Sequence, residues 1–222
     1  MKICIFDGGP RKGWNTAQMC ESFARGASEA GAEVESVHLY DLDFKGCRSC
    51  FACRVKGGPS YAKCAWRDGA AELLDAAAQA DGLVFASPIY LGTITPQLHA
   101  FVERLIFPFV SYGRGYPTLA PKRAETAVIY TMNVKEPMFD KLYINGGAGP
   151  LAFFEEFVGR VFTKPERICA FDTYQFTDYS KYVADGFDEA EKAEWKKNEF
   201  PKDLRAAREA GRRMAEKIRA KG

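Results

Sequence analysis

KICIFDGGPRKGWNT, residues 2–16, settles how the chain begins to fold. Its first half, KICIFDG, is a short apolar run that stops at glycine, as a strand buried on both faces does. The segment that follows, from Asn15 to Gly31, carries Cys20, Phe23, Ala24 and Ala27 at helical spacing, with Gly31 as the stop. Between strand and helix lie three glycines, a proline, Arg11 and Lys12. Strand, glycine-rich loop, helix is the opening unit of a wound α/β sheet.

The pattern repeats outward from there. EVESVHLYD (33–41) alternates like an outer strand, and GLVFASP (82–88) is a second buried run. A helix with Leu98, Phe101, Val102, Leu105 and Ile106 on one face follows it. ETAVIYTM (125–132) and ERICAFDTY (166–174) supply strands four and five, with a helix over Leu151 to Phe162 between them. The last helix is expected over 188–220, or from Lys202 if Pro201 breaks it, with Leu204, Ala207, Gly211, Met214, Ala215 and Ile218 as its face. Five strands with intervening helices make a doubly wound α/β fold with right-handed crossovers, whose ligands bind beyond the carboxyl ends of the strands. No repeat or linker-like break interrupts it, so residues 1–222 are expected to form one domain.

Bulk composition narrows the function. Apolar residues make up 47% and charged residues 27%, and net charge is +2, so no basic field suggests nucleic acid or an anionic membrane. The start, MKICIFDGG, lacks a long apolar signal region, and no run approaches the ~20 apolar residues of a membrane span. A cytoplasmic protein is expected. Cys4, Cys20 and Cys169 are scattered and suit buried small hydrophobes.

The opening loop sits where the first N–H groups of a helix are unsatisfied and its dipole favours an anion. Gly8, Gly9 and Gly13 allow close approach, Arg11 and Lys12 bring charge, and Asn15 and Thr16 bring donors. The spacing is neither a Walker loop nor the GxGxxG fingerprint. The plainer alternative is a glycine-rich turn with a threonine cap. FASPIYLGTITPQLHAF (85–101) lies at the same sheet edge, with a rigid turn over Pro88, Tyr90 and Gly92 and Thr95 capping the next helix. A phosphate cradle beside a flat, partly aromatic turn suits a planar heterocycle on a phosphorylated tail, the shape of FMN.

On GGPRKGWNT, CRSCFAC, ADGLVFASPIYLGTITPQLHAFVERL and, more loosely, FPKDLRAAREAGRRMAEKI, the sequence resembles the NADPH-dependent FMN reductase family and, within it, the iron–sulfur flavoprotein branch. The resemblance implies a flavodoxin-like doubly wound five-stranded parallel sheet, order 2-1-3-4-5, with helices on both faces and a cysteine-rich insertion at about 44–66. It implies that Gly9, Pro10, Arg11, Gly13, Asn15, Thr16 and Ala17 hold the FMN phosphate. Pro88, Ile89, Tyr90, Leu91 and Gly92 would line the ring, and Thr131, Met132 and Asn133 would form a third loop. The phosphate-loop serine of the family is Gly9 here, and TMNVKEPMFD lacks the glycine pair common in the third loop. The flavin carries the chemistry in such proteins, so no acid–base side chain is expected, and His38 and His99 are read as packing residues.

Cys47, Cys50 and Cys53 are spaced C-x2-C-x2-C, and ten residues separate Cys53 from Cys64. Such thiolates can wrap a [4Fe–4S] cube, a fourth cysteine from a flexible loop closing it. The branch uses a compact run with a shorter final gap. A zinc site and a metal-free thiol loop remain open beside the cluster.

Loop 108–122, with Tyr112, Arg114 and Tyr116, is expected to roof the flavin or to form a surface contact. INGGAGP (144–150) reads as a hinge or a helix stop, and 185–200 as a solvated helical face. Two functions stand. One is an FMN-dependent NAD(P)H oxidoreductase acting on a quinone, a nitro or azo compound, or free flavin. The other is a carrier relaying electrons between ferredoxin and a partner through FMN and the cluster; a redox-free binding module is a distant third. A homodimer or homotetramer is implied by the resemblance.

Overall fold

A computed structural model describes residues 1–222. At its centre are β1 (Lys2–Asp7), β2 (Glu33–His38), β3 (Gly82–Pro88), β4 (Glu125–Thr131) and β5 (Glu166–Ala170). They form one sheet in the order β2-β1-β3-β4-β5. Every pairing is parallel, with Ile5 beside Ser36 and Val84, Val84 beside Ala127, and Ala127 beside Glu166. This is the doubly wound sheet the sequence predicts, in the flavodoxin-like order that the resemblance implies.

The two-residue period of each strand divides the core. Ile3, Ile5, Val84 and Ile129 face α1 (Asn15–Glu29) and, at the far end of the chain, α7 (Phe200–Arg219). Cys4, Phe6, Phe85 and Tyr130 face the opposite layer of α2 (Ala71–Gln79), α3 (Pro96–Ile106) and α5 (Pro150–Val161). The short α4 (Glu136–Phe139) and the charged α6 (Glu189–Asn198) complete the helices. None is long and apolar enough to cross a membrane.

α1 and α7 touch backbone to backbone. A Cβ on Gly26 would lie 1.8 Å from the Arg208 carbonyl oxygen, and one on Gly211 would lie 2.1 Å from that of Phe23. Only glycine fits either position.

The structure differs from the sequence reading at four places. β2 ends at His38, three residues short of the expected 41, because Leu39–Asp41 forms a 3-10 turn. The last helix is two, joined at Glu199, because Pro201 sits in the first turn of α7, where its missing N–H leaves no bond unmade. β5 stops at Ala170, two residues before Asp172 turns the chain at φ +47. The Ala-rich α2 has no side-chain cap to announce it and was not anticipated. Residues 44–66 lie in the connection from β2 to α2 and hold one 3-10 turn, Ala52–Arg54.

Candidate functional site

The loop after β1 is held at both ends of its first turn. Gly8 N–H donates to the Ala86 carbonyl of β3 (2.8 Å), and its own carbonyl accepts from the Thr95 hydroxyl (2.8 Å). Gly9 N–H donates to the buried Asp7 carboxylate (2.8 Å). Burial pushes the Asp7 pKa up, opposed by that N–H and by His38. Gly13, at φ +68, turns the chain into α1. No side chain caps α1, and the backbone N–H groups of Asn15, Thr16 and Ala17 have no acceptor. Three donors and a helix dipole therefore converge on one spot.

The other loops come to the same place. A cavity of about 60 Å³ is lined by Gly9, Pro10, Arg11, Asn15 and Thr16 of the first loop. Pro88, Ile89 and Tyr90 line it from the second, and Thr131 and Met132 from the third. The buried hydroxyls of Thr16 and Thr131 lie 2.8 Å apart and tie α1 to β4. Thr95 caps α3 as expected, accepting from Leu98 N–H (3.5 Å). Five expected residues lie outside this lining. Gly13 makes the turn, Ala17 offers its N–H, and the exposed Leu91 and half-buried Gly92 form a turn with φ of +49 and +89. Asn133 is engaged elsewhere, accepting from Lys192.

Three lining residues were not foreseen: Trp14, Thr173 and Gln175. Trp14 Nε1 is buried without an acceptor, and the Arg11 guanidinium lies 4.3 Å above its ring. Arg11 donates to the Gln175 carbonyl (2.7 Å) and Asn15 to that of Tyr174 (3.0 Å). The Thr173 hydroxyl donates to the Met132 carbonyl (3.1 Å). The segment after β5 thus walls the cavity. Its base is a buried ion pair, Lys192 to Asp172 (2.5 Å), so α6 is solvated except at Lys192 and the half-buried Trp195.

A second centre lies around the cysteines. Cys47, Cys50, Cys53 and Cys64 line one cavity of about 30 Å³ together with Arg104 of α3. No three Cys, His, Asp or Glu side chains converge closely enough to hold a single metal ion. The loop bends sharply beside these thiols, with Ser49, Phe51 and Ala62 at φ of +51, +56 and +57. Non-glycine residues held there mark strain that the surroundings maintain. Cys4 and Cys20 are buried, as expected, and Cys169 is half-buried. Burial pushes the Cys4 thiol up to about 11 and Cys169 to about 12. Neither is a ready nucleophile.

A cavity of about 710 Å³, larger than the two above, runs between α3 and α5. Tyr112 and Tyr116 of loop 108–122 line it with Phe107, Phe153 and Phe157, so the loop does not line the cavity over the first loop. Cys47, Glu103 and Phe107 belong to the walls of both this cavity and the cysteine cavity. His99 lies 3.7 Å from Glu103 on its rim, and His38 lies 3.4 Å from Asp41 beyond β2.

Residues 1–130 match the family described as NADPH-dependent FMN reductase. An iron–sulfur flavoprotein of Archaeoglobus fulgidus is 32% identical over 130 residues, 59% of this chain and 54% of that protein. One from Methanosarcina thermophila is 31% identical over 106 residues, 48% and 53% of the two chains. The match thus spans about half the length of these curated relatives. The NAD(P)H:quinone oxidoreductase of Methanothermobacter marburgensis superposes with a TM-score of 0.69 over 96% of this chain and 98% of its own, at 17% identity. An FMN-dependent NADH-azoreductase of Bacillus anthracis, solved with FMN, gives 0.65 over 97% and 100%, at 13% identity. These two similarities establish the fold.

Proposed function

Since the chain belongs to the NADPH-dependent FMN reductase family, we propose that it binds FMN at the carboxyl edge of the sheet and works as an NAD(P)H-dependent oxidoreductase. The observation that carries this reading is the convergence of three loops on one cavity above an uncapped helix. What the flavin supplies when bound is a carrier that takes hydride from NAD(P)H and gives up electrons singly or in pairs.

The residues present suit FMN. The enclosed volume of about 60 Å³ suits a phosphate rather than a ring. The N–H groups of Asn15, Thr16 and Ala17 with the Arg11 guanidinium would hold that phosphate, and the orphan Trp14 indole N–H offers one donor more. Pro88 to Gly92 would lie along the ring. Thr131 and Met132, pinned through Thr16 and Thr173, would fix its other side. The acceptor is a quinone, a nitro or azo compound, or free flavin. One domain, a cytoplasmic location and a homo-oligomer belong to the same reading.

The cysteine cavity favours a second reading, an iron–sulfur flavoprotein passing electrons to a redox protein such as ferredoxin. Four thiols round one cavity, spread too widely for a single ion, suit the broader [4Fe–4S] cube better than zinc. The curated relatives bear that name. Stopped-flow reduction with NADH and NADPH, beside iron and sulfide assays of anaerobically purified protein, tests both. Flavin that neither nicotinamide reduces at a useful rate would sink the reductase reading. Protein without iron or sulfide after reconstitution would sink the cluster.

A further inference from the structure

We infer that Arg104 is the positioning residue that fixes Cys64 as fourth ligand of the cysteine centre, and that its N–H contact to the Cys64 sulfur raises the potential of the cluster. The inference rests on the cluster reading above.

Cys47, Cys50 and Cys53 are placed relative to one another by their own short spacing. Cys64 is not, because ten residues separate it from Cys53. Something outside the loop has to set it, and that is α3. Arg104 stands in its last full turn with a side chain 1% exposed. Its Nε donates to Cys64 Sγ (3.4 Å). Its Nη1 donates to both Asp68 oxygens (2.9 and 2.7 Å) and to the Lys45 carbonyl (3.0 Å), and its Nη2 to the Trp66 carbonyl (2.9 Å). One guanidinium therefore grips both ends of the cysteine segment and the sulfur itself.

The sulfur contact is the informative one. Asp68 and two carbonyls would suffice to brace a loop. A neutral thiol is a weak acceptor, a poor match for a buried cationic N–H. A ligand thiolate is a strong one, and guanidinium stays charged at any relevant pH. Hydrogen bonds to cluster sulfurs are among the levers that set cluster potentials. The strained turns at Ser49, Phe51 and Ala62 agree with a loop held to a demanding shape.

The test uses the full chain, purified anaerobically and reconstituted with iron and sulfide. Wild type is expected to hold four irons. Arg104→Lys and Arg104→Gln should keep their FMN, show on titration with ferricyanide more of the electron paramagnetic resonance signal of an oxidised three-iron cluster than wild type treated alike, and lower the midpoint potential of the remaining four-iron fraction. Cys64→Ala should lose one iron in four, and Asp68→Asn, which loosens the brace but keeps the sulfur contact, should leave the potential unchanged. Arginine variants with wild-type iron, no three-iron signal and an unchanged potential would overturn the inference. So would an Asp68→Asn shift as large as theirs, or four irons in Cys64→Ala. Wild type without iron would instead fell the cluster reading beneath it.

Discussion

Arg11→Gln is the substitution that most directly questions the phosphate cradle. Arg11 is solvent-exposed at the mouth of the cavity and at present donates to the Gln175 carbonyl (2.7 Å). A phosphate is a stronger acceptor than that carbonyl, and a hydrogen bond to a charged group contributes about 1.5–3 kcal/mol net. Exposure and salt pull the value toward the lower end, because the Debye length at physiological ionic strength is about 8 Å. A loss of about 1.5 kcal/mol corresponds to roughly a tenfold weaker Kd. The N–H groups of Asn15, Thr16 and Ala17 remain, so binding weakens without vanishing. Titration by flavin fluorescence quenching reads this, with riboflavin as the control because it lacks the phosphate. FMN should weaken about tenfold and riboflavin by less than about twofold. Equal loss for both ligands, or loss for neither, would refute the assignment of Arg11 to the phosphate.

Further expectations follow from the same contacts. Trp14→Phe keeps the ring under Arg11 and deletes the orphan indole N–H, so FMN should weaken by about fivefold, near 1 kcal/mol, with riboflavin unaffected; an unchanged FMN titration would show that Nε1 takes no part. Gly211→Ala forces α7 off α1 and should cost about 1–3 kcal/mol or more in urea unfolding; a change under about 0.5 kcal/mol would mean the helices do not touch as described. Lys192→Met leaves the buried Asp172 carboxylate unpaired and should cost about 3–5 kcal/mol, much of it regained in Asp172→Asn/Lys192→Met; a double variant as unstable as the single one would contradict this. Burial, with Glu199 and Glu136 nearby, pushes Asp203 up to about 7, so the folded state holds its proton more tightly than the unfolded chain. Stability should therefore fall as pH rises from about 4 to about 7, and Asp203→Asn should match wild type at pH 4 and exceed it at pH 8. Parallel stability curves would refute it.

What could be read in advance was local. The alternation of Ile3 and Ile5 against Cys4 and Phe6 announces a strand buried on both faces, and Thr95 before Pro96 announces a helix start. Such signals need only a few neighbouring residues. The walls of the site do not work that way. Arg11 meets Gln175 across 164 positions, and Arg104 meets Cys64 across 40. No periodicity connects such pairs, and Gln175 contributes a backbone carbonyl, for which any residue type would serve. Trp14 was visible inside the quoted loop, but an indole N–H left without a partner is a property of packing. Pro201 was ambiguous for a physical reason: a proline breaks a helix interior yet fits a first turn, and the chain uses it in the second way.

The two centres are not independent, because α3 joins them. At its start Thr95 holds the Gly8 carbonyl of the loop after β1, and near its end Arg104 holds the cysteine segment. The anchors stand nine positions apart, about 14 Å at 1.5 Å per residue. Leu98, Phe101 and Leu105, at most 2% exposed, bed the intervening turns in the core, so the helix cannot slide. A reductase that hands electrons straight from flavin to a small acceptor gains nothing from a fixed distance to a cysteine loop. A relay does, since electron transfer slows steeply with separation. The large cavity strengthens the point, because Cys47, Glu103 and Phe107 form a wall common to it and to the cysteine cavity. If electrons leave through the cysteine centre, an acceptor seated between α3 and α5 would meet it there, and Phe101→Ala, by loosening the helix between the anchors, should slow acceptor reduction more than reduction of the flavin by NAD(P)H. Equal slowing of both steps would place the exit at the flavin instead.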